Sequence, residues 1–332
     1  MTLRRAILNT LKENPGAWVS GEALSDSLNV SRTAIWKQIK HLLDEGYEIE
    51  SAPKKGYRMR STPDLLSPDE VCADLATAVF GQQDYFYFRE IDSTNNYARD
   101  AAREGVPEGT IVVAEMQTAG RGRRGRGWFS PSRQGIYMSI ILRPDMPLPQ
   151  LARIPLVAAV ALAETIRAAV GLDARIKWPN DILVNNKKIA GILSEAVADM
   201  DGIDYVVVGF GLNFSNDPGE FPPDLRMPAT SVQAEGSRPF SRVGLMQDLL
   251  YNLEQSYQQL LAGNFDTVLA KARELSMVIG QNVRLETNQG HIIGKAIDLN
   301  ENGYLVVVGR GGSVQTVMSG EIEVIDSANA SK

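Results

Sequence analysis

Residues 1–60 repeat apolar side chains at the three- and four-residue spacing of amphipathic helices. A first helix is predicted over 3–13, where Asn14-Pro15-Gly16 ends it, and Ser20 and Ser31 are each placed to N-cap a later helix. Two helices joined by a tight turn at 29–31 are typical of a helix-turn-helix. The apolar positions that the three helices would bury are Leu3, Ile7, Leu8, Leu11, Ala23, Leu24, Leu28, Ile35, Ile39, Leu42 and Leu43.

A hairpin is predicted directly after these helices. Gly46 ends the last helix, and the alternating runs 47–50 and 56–59 predict two strands around Pro53-Lys54-Lys55. Residues 1–60 hold ten Lys/Arg against seven Asp/Glu, whereas the rest of the chain holds 24 against 33, so only the front end suits DNA. A three-helix packing module with no DNA role is the alternative. The candidate DNA contacts are Ser31, Arg32, Thr33, Lys37, Lys54, Lys55 and Arg58.

Strand-like and helical runs alternate beyond the linker-like segment 61–68. Strands are predicted over 110–114, 137–142, 182–184, 189–193 and 205–209, and helices over 94–104, 151–170 and 242–261. Asn185-Asn186 is placed as a tight hairpin turn. Short strands at 283–286, 292–298, 304–308, 314–318 and 322–325, separated by Gly and Asn, predict a small β-barrel. The pattern predicts three domains, 1–62, 63–274 and 275–332, of which the central one is α+β.

Composition narrows the possible chemistry. The single cysteine, Cys72, excludes an intramolecular disulfide, fits a reducing, cytoplasmic compartment, and is predicted to be buried on a helix. With two histidines, His41 and His291, no Cys/His metal site is expected. The start lacks the apolar stretch of a signal peptide, and the run 154–163 is about half as long as a membrane span. We therefore expect no membrane partner.

An arginine-glycine stretch over 120–127, followed by Trp128, is the most distinctive segment of the chain. Glycine disfavours helices and strands by about 0.5–1 kcal/mol relative to Ala, so this stretch predicts a mobile loop without a regular element. Its guanidinium groups match phosphate and carboxylate groups, and the loop is expected to order around an anionic ligand. A solvated or nucleic-acid-binding loop is the alternative.

Three further patches carry polar side chains in contexts that a hydrophobic core alone does not explain. Ser93-Thr94-Asn95 lies just after Ile91, at the predicted start of a helix. A helix cap would explain only one of these three polar side chains. The second patch is Lys177-Trp178-Pro179-Asn180-Asp181 with Lys187-Lys188-Ile189-Ala190-Gly191. The third is Gly209-Phe210-Gly211-Leu212-Asn213, where small residues allow a ligand to lie against the backbone. Each patch alone is equally consistent with a turn or a cap.

In this order, the patches resemble the biotin protein ligase family. The motifs that carry the resemblance are Ser93-Thr94-Asn95, Gln117, 120–128, 177–181, 188–191 and 209–213. With the helix-turn-helix, the chain is most similar to the bacterial bifunctional biotin ligases and biotin operon repressors. The resemblance covers essentially the whole chain. It implies an N-terminal winged helix-turn-helix, a central α+β catalytic domain like those of class II synthetases, and a C-terminal SH3-like β-barrel.

The resemblance also implies an activity that needs no His or Cys nucleophile. Such enzymes join biotin to ATP, release pyrophosphate, and pass the biotinyl group from biotinyl-5'-AMP to a lysine of a biotin carboxyl carrier protein, as in acetyl-CoA carboxylase. A carboxylate that attacks a phosphate is repelled by it, so screening and positioning do most of the work. Mg²⁺ would bridge phosphate oxygens. In the repressor branch, the adenylate is the corepressor, and a homodimer binds operator DNA.

The site residues follow from the motif match. Catalytic roles are implied for Arg123, Lys188 and Asp181, with Asp181 helping the incoming lysine or placing the metal. Biotin would contact Ser93, Thr94, Gln117, Gly120, Arg121, Arg123, Lys188 and Gly191, and Asn180 and Asn213 would face the adenylate half. The remaining expected ligand contacts are Asn95, Arg124, Arg126, Trp128 and Lys177.

Other functions compete with this interpretation. A lipoate ligase or octanoyl transferase shares the fold family, but the winged helix, the Lys-Trp-Pro-Asn-Asp block and the terminal barrel argue against it. A transcription factor that only senses a small molecule is a second alternative, and an RNA-binding arginine loop is a third. The chain departs from some family members near Ala229, where it has small residues in place of an aromatic residue that packs against adenine.

Overall fold

The chain forms two compact units in the computed structural model, which describes residues 2–198, 202–236, 238–287 and 290–325. The first unit spans Met1–Leu65 and the second Leu66–Lys332. The predicted boundary after residue 62 lies close to this division. The predicted boundary at 274/275 falls inside the second unit, and the end of the predicted third domain, 326–332, lies outside the described residues.

The first unit contains three helices and a hairpin, as the apolar pattern predicts. These elements are α1 (Leu3–Glu13), α2 (Gly21–Ser27), α3 (Arg32–Asp44), β1 (Glu48–Ala52) and β2 (Gly56–Ser61). Ser20 and Ser31 cap α2 and α3, since each hydroxyl accepts hydrogen bonds from backbone N–H groups of the first turn. The helices bury a common core, but Leu43 is 45% exposed and Ala23 is also exposed, so the predicted burial of these two residues is wrong. Leu43 lies at the edge of the stripe that Ile39 and Leu42 bury.

The hairpin is joined to the segment before α2. Val19 and Tyr57 exchange backbone hydrogen bonds of 2.8 Å in both directions. Gly56 has a φ of +97°, and a Cβ there would lie 2.0 Å from the Val19 carbonyl oxygen, so only glycine fits this close approach. The Arg58 guanidinium packs 4.5 Å from the Trp18 ring centroid and pairs with Glu50. The hairpin is thereby held against the helices of its own unit.

The second unit surrounds a seven-stranded mixed sheet and continues into a five-stranded antiparallel sheet. Its helices are α4 (Pro68–Val71), α5 (Thr94–Arg103), α6 (Arg153–Val170), α7 (Val232–Glu235), α8 (Arg242–Leu261) and α9 (Phe265–Leu275). The strands of the larger sheet are β3 (Tyr85–Phe88), β4 (Ile111–Ala114), β5 (Gly135–Leu142), β6 (Arg175–Lys177), β7 (Asp181–Val184), β8 (Lys187–Ala198) and β9 (Ile203–Asn213). Those of the smaller sheet are β10 (Asn282–Thr287), β11 (Gly290–Leu299), β12 (Leu305–Gly309), β13 (Val314–Val317) and β14 (Glu321–Val324).

The two faces of the larger sheet carry different partners. The strand order is β3-β4-β5-β9-β8-β7-β6, and β3 pairs with β4 in parallel while the other pairs are antiparallel. One face packs on α6 and α8 in the main apolar core. The other face packs on the small residues of α5, such as Ala98 and Ala102, and leaves the ends of β8 and β9 open for a site.

A buried ion pair lies where α8 meets the sheet. Arg242 Nη2 donates to Glu115 Oε2 at 2.7 Å, and the two side chains are 0% and 2% exposed. Glu115 Oε1 also accepts from the backbone N–H of Leu66 at 2.8 Å and from the Tyr87 hydroxyl at 3.1 Å. Burial and this carboxylate raise the pKa of Tyr87, so its hydroxyl stays a donor. Glu115 thus fixes the start of the second unit to the sheet.

The smaller sheet contacts α9 and shares the main apolar core of the second unit. Its order is β13-β12-β11-β10-β14, and its buried residues, among them Val283, Leu285 and Leu305, belong to the same apolar core as the central domain. Trp178 Nε1 donates to the Gly303 carbonyl at 3.1 Å across the contact. The five predicted strands of the C-terminal segment are confirmed.

The prediction missed several elements of the second unit and misplaced one residue. Strands β3 and β6 and helix α7 were not predicted, because runs of three or four residues are too short to show a period. Helix α9 was also missed, although Phe265, Val268, Leu269 and Ala272 repeat at helical spacing. Asn185 and Asn186 do form the predicted turn, with φ of 50° and 60°. Cys72 is half-buried at the C-cap of the four-residue α4, not buried on a helix, because that helix ends at Val71. None of the helices in the described ranges is long and apolar enough to span a membrane.

Candidate active site

A cleft of 880 Å³ lies between the larger sheet, the arginine-glycine loop and the C-terminal sheet. Its lining contains eight Lys/Arg against five Asp/Glu, although the whole chain has a net charge of −6. A positive cleft in an acidic protein attracts an anionic ligand. The volume is within the range of about 300–1,000 Å³ that is usual for small-molecule sites.

Glycines form the floor of this cleft. Gly191 of β8 pairs with Gly211 of β9, and Gly209 pairs with Ser139 of β5. A Cβ at Gly209 would lie 1.9 Å from Asn95 Oδ1, and one at Gly211 would lie 2.4 Å from the Trp128 indole. The missing side chains therefore make room for Asn95 and Trp128 above the sheet.

A hydrogen-bond network closes one end of the cleft. Thr94 donates to Gln117 Oε1 through its backbone N–H at 2.9 Å and through its hydroxyl at 3.2 Å. The buried Ser139 hydroxyl lies 2.8 Å from Thr94 Oγ1 and 2.6 Å from Asn95 Oδ1. Ser93 occupies the N-cap position of α5 without a capping side-chain bond. These polar groups are pre-positioned by buried contacts, as a specific binding site requires.

The arginine-glycine loop is closed by its own backbone hydrogen bonds. Residues Arg123–Gly125 form a tight turn in which Arg124 and Gly125 have left-handed φ of 56° and 73°. Arg121 and Gly127 form an isolated β-bridge, and Trp128 N–H donates to the Gly120 carbonyl at 2.8 Å. The stretch therefore contains no regular helix or strand, as predicted.

Two of the loop arginines point towards the sheet. Arg121 makes a two-pronged ion pair with Glu195, with distances of 2.9 and 3.0 Å, and also bonds to Asn96 at 3.0 Å. Arg123 Nη1 donates to Asn180 Oδ1 at 2.9 Å, and Asn180 is itself held by the Ile192 carbonyl. Burial lowers the pKa of Arg123, which an anionic ligand beside it would oppose.

The other two loop arginines point towards the C-terminal sheet. Glu321, at the start of β14, pairs with Arg126, lies 3.5 Å from Arg124, and accepts from Arg226 at 2.7 Å. Burial lowers the pKa of Arg126, and its neighbours Arg226 and Arg124 lower it further. One carboxylate of the C-terminal sheet therefore gathers three arginines at the rim of the cleft.

The Lys-Trp-Pro-Asn-Asp block forms the turn between β6 and β7. Buried Trp178 anchors it, so that Lys177 and Asp181 face each other as register partners. Lys188 Nζ lies 2.7 Å from Asp181 Oδ1 and 5.2 Å from the centroid of the Trp128 ring. Burial lowers the pKa of Lys177, and Asp181 opposes this change while Lys188 adds to it. Asp181 thus lies among several cations, which would also favour a ligand phosphate or carboxylate.

Two buried atoms that line the cleft have no hydrogen-bond partner within the described part of the chain. They are Asn213 Oδ1 and Trp128 Nε1. An amide oxygen is a ligand that Mg²⁺ accepts, and Asp181 supplies a carboxylate to the same cleft. No cluster of three or more His, Cys, Asp or Glu able to hold a metal occurs among the described residues. These donors fit a Mg²⁺ ion that arrives with a nucleotide, rather than an ion held by protein alone.

The structure gathers nearly all predicted ligand residues in one cleft. Gly120 does not line it, but lies buried at the base of the loop, where a Cβ would be 2.5 Å from the Trp128 carbonyl. The predicted residues that line the cleft are Ser93, Thr94, Asn95, Gln117, Arg121, Arg123, Arg124, Arg126, Trp128, Lys177, Asn180, Asp181, Lys188, Gly191 and Asn213. Sequence reasoning missed Ser139, Glu195, Phe129, Phe221, Arg226, Arg284 and Glu321. Only Ser139, a polar residue inside an apolar strand, gave a local signal.

The predicted DNA contacts lie together in the first unit. Ser31, Arg32, Thr33 and Lys37 are exposed on or next to the first turns of α3. Lys54 and Lys55 are exposed at the tip of the hairpin, whereas Arg58 is half-buried against Trp18 and Glu50. Arg32 also forms an exposed ion pair with Glu22 at 2.8 Å.

We expect the ionised Glu235 side chain, at the edge of the cleft, to stabilise the fold in a pH-dependent way. Hydrogen bonds from Lys187, Asn185 and Thr230 lower the pKa of Glu235 to about 2. Because an unfolded Glu has a pKa of about 4.3, this stabilisation is present above that pH and is lost as pH falls towards 2. Glu235→Gln should cost about 1 kcal/mol near pH 6, since Lys187 is about half exposed and water screens the pair, and almost nothing near pH 2. Urea denaturation across this range measures the difference, with Glu301→Gln at an exposed site as control. A constant difference from pH 6 to 2 would contradict the assignment.

Comparisons with known proteins agree with this geometry. Residues 87–213 match the biotin/lipoate A/B protein ligase family, 3–58 match an HTH domain, and 278–324 match the biotin protein ligase C-terminal domain. The chain is 38% identical to the bifunctional ligase/repressor BirA of Bacillus subtilis over 97% of this chain and 99% of that protein. It is 30% identical to BirA of Escherichia coli over 93% and 94% of the two chains. The structure of Aquifex aeolicus biotin protein ligase with biotin and ATP is similar, with a TM-score of 0.63 and 28% identity over 74% of this chain and 99% of that one. This chain therefore belongs to the biotin protein ligase family, and it carries the helix-turn-helix unit of the bifunctional ligase/repressors.

Proposed function

We propose that the protein joins biotin to ATP, transfers biotin to a lysine of the biotin carboxyl carrier protein of a carboxylase such as acetyl-CoA carboxylase, and represses biotin genes with biotinyl-5'-AMP as corepressor. The observation that carries the ligase half is the cleft itself, where Lys188, Arg123 and Lys177 surround Asp181 above a glycine floor. Two mutually repelling anions need such a positive, preformed surface in order to react.

Biotin is assigned to the end of the cleft near α5. A ureido ring needs both donors and acceptors, and Thr94, Gln117 and Ser93 provide them at a closed, buried end. Its carboxylate would then lie near Lys188 and Arg123. The glycine pair Gly191 and Gly211 lets the Trp128 indole and the Lys188 side chain lie close to the sheet, where they would form one wall of the biotin site.

The nucleotide is assigned to the end near Asn180 and Asn213. The T-shaped pair Phe129 and Phe221, with centroids 5.9 Å apart, lines the same cleft. These rings offer adenine the apolar surface that an aromatic residue near Ala229 would otherwise provide. Mg²⁺, bound through phosphate oxygens and Asn213 or Asp181, would offset the negative charge of the triphosphate. Arg124 and Arg126 complete the positive field on the loop side.

The chemistry takes place in two balanced steps. A biotin carboxylate oxygen bonds to the α-phosphorus, and the bond to the pyrophosphate oxygen breaks. The carrier lysine, as a free amine, then attacks the acyl carbon, AMP leaves, and the amine loses one proton. Asp181, held by Lys188 at 2.7 Å, is the group best placed to orient the incoming amine. No step needs a nucleophilic side chain.

The ligase half is tested with labelled biotin, ATP, Mg²⁺ and a carrier domain. We expect one carrier lysine to become labelled, with AMP and pyrophosphate formed in equal amounts. Omission of ATP should abolish labelling. Binding of biotin without any transfer would favour the alternative of a transcription factor that senses the vitamin, and equal use of lipoate or octanoate would favour the lipoate ligase alternative.

The repressor half rests on the helix-turn-helix unit and its exposed basic side chains. Arg32 and Lys37 on α3, and Lys54 and Lys55 on the hairpin, are available to phosphates or bases. We propose that adenylate formation promotes a homodimer, which places two such units on an operator with two half-sites. A footprint that requires biotin and ATP together, and sedimentation that shows a dimer under the same conditions, test this proposal. DNA binding that ignores both ligands would contradict it.

We expect Arg123→Ala to release the reactive intermediate. Arg123 ties the loop to Asn180 at 2.9 Å, so its loss removes a loop anchor on the sheet side and opens the cleft to water. Free biotinyl-5'-AMP should appear about 100-fold faster, and lysines of an added bystander protein should become biotinylated. The release of adenylate is checked by filtering off the enzyme and measuring labelled biotinyl-5'-AMP in the filtrate. Arg103→Ala, at an exposed position of α5, is the matched control. Intact activity with no increase in free adenylate would refute the role.

A further inference from the structure

Helix α3 exposes a tryptophan in the middle of its basic face. Trp36 is 52% exposed, although tryptophan is one of the side chains that proteins bury most extensively. It is not part of the apolar core of the first unit, which Ile35, Ile39 and Leu42 fill from the opposite side of the helix. The Trp36 side chain therefore does not contribute to the packing of that core.

The neighbours of Trp36 define the surface that it belongs to. Arg32 and Lys40 lie four residues before and after it on the same side of α3, and the Lys40 ammonium is 5.8 Å from the indole centroid. Thr33 and Lys37 extend the exposed face. The surface thus combines cations that suit phosphates with one large apolar side chain that does not.

Among anionic partners, double-stranded DNA matches both properties. In a helix-turn-helix, the N-terminal part of the second helix enters the major groove, and Trp36 is in the second turn of α3. The major groove displays one apolar group, the 5-methyl of thymine, and apolar side chains recognise it by contact. A membrane surface or a protein partner would not require this position on the recognition helix.

We propose that Trp36 contacts the 5-methyl group of a thymine in each half-site and so helps to determine operator sequence. This inference rests on the proposed repressor function. The Arg32–Glu22 pair is exposed on both sides, so a DNA phosphate or base can replace Glu22 when the helix enters the groove.

The test uses full-length protein with biotin, ATP and Mg²⁺ and the duplex that the wild type selects from a random pool. Each thymine is replaced in turn by uracil, which lacks only the methyl group. We expect uracil at one position of each half-site to weaken wild-type binding about tenfold. Trp36→Ala should weaken binding to the thymine duplex by a similar factor and should bind the thymine and uracil duplexes equally.

Leu43→Ala is the matched control, because Leu43 is a similarly exposed apolar residue two turns further along α3. We expect it to change DNA affinity less than twofold. Thermal unfolding should show that both variants are folded. The inference is overturned if Trp36→Ala still distinguishes thymine from uracil, or if it weakens binding no more than Leu43→Ala does. Failure of the wild type to select any duplex would instead overturn the repressor function itself, and this inference with it.

Discussion

Lys188→Ala should lower kcat/KM for adenylate formation about 10³-fold. The side chain brings a cation to 2.7 Å from Asp181 and faces the glycine floor where the biotin carboxylate is expected. Its removal leaves Asp181 as a less compensated negative charge in a site that must hold two further anions. Loss of one such electrostatic contact typically costs about 10²–10³ in rate, and the uncovered carboxylate adds to this. Pyrophosphate release with labelled ATP measures the effect.

The adjacent residue provides the control for this prediction. Lys187 is a lysine of the same strand, but it pairs with Glu235 outside the cleft and is about half exposed. Lys187→Ala should therefore keep adenylate formation within about twofold of the wild type, because a partly exposed ion pair contributes little. Lys188→Arg should recover only part of the activity, since a guanidinium does not replace a compact ammonium. Near-normal activity of Lys188→Ala would show that the positive field does not depend on this residue.

Arg242→Met should lower the free energy of unfolding of the second unit by about 3–5 kcal/mol. The guanidinium is completely buried, donates to Glu115 at 2.7 Å, and donates to the Gly135 carbonyl at 3.0 Å. Without it, Glu115 remains as a buried carboxylate that has lost its cation. Urea denaturation followed by tryptophan fluorescence measures the loss, and reduced ligase activity at 37 °C should accompany it.

An exposed ion pair tests whether burial is the cause. Arg273 and Asp298 lie 2.7 Å apart, with side chains 41% and 47% exposed. Arg273→Ala should cost less than about 1 kcal/mol, because water screens the pair in the native state and solvates the remaining charge. If Arg242→Met were no more destabilising than Arg273→Ala, the buried pair could not be what fixes Leu66 and β4 in place.

The C-terminal sheet contributes more to the cleft than the sequence suggested. Glu321 gathers Arg124, Arg126 and Arg226, and Trp178 donates to Gly303 across the same contact. The arginine-glycine loop is thus held from two sides, by Asn180 and Glu195 of the central sheet and by Glu321 of the C-terminal one. We expect loop closure to depend on both contacts.

Local pattern alone was enough for much of the fold. The spacing of Leu8, Leu11, Ile35 and Ile39, with Ser20 and Ser31 as caps, predicted the helices of the first unit. The Asn185-Asn186 turn followed from the tolerance of asparagine for left-handed backbone. These features depend on residues close in the chain, whose interactions are visible in the order of the side chains.

The motifs of the cleft could also be predicted, because chemistry concentrates unusual residues in short segments. A run of arginines and glycines or a Lys-Trp-Pro-Asn-Asp block is consistent with a loop or a turn when taken alone, but their occurrence together and in this order indicates a ligand. In contrast, Leu43 and Cys72 show that burial at the edge of a helix, or past its end, depends on what packs there.

Only the tertiary structure determined which distant residues meet. Glu195, which pairs with Arg121, and Glu321, which pairs with three arginines, come from segments whose local pattern gives no sign of a site. Ser139 is marked only as a polar residue in an apolar strand, and its sequence context does not show that it meets Thr94 and Asn95. The sequence by itself determined the elements of the first unit, the floor and cations of the cleft, and hence the family and its chemistry. The partners that neutralise and orient those cations depend on strand order and on the position of the C-terminal sheet beside the arginine-glycine loop, because long-range contacts join residues that share no local signal.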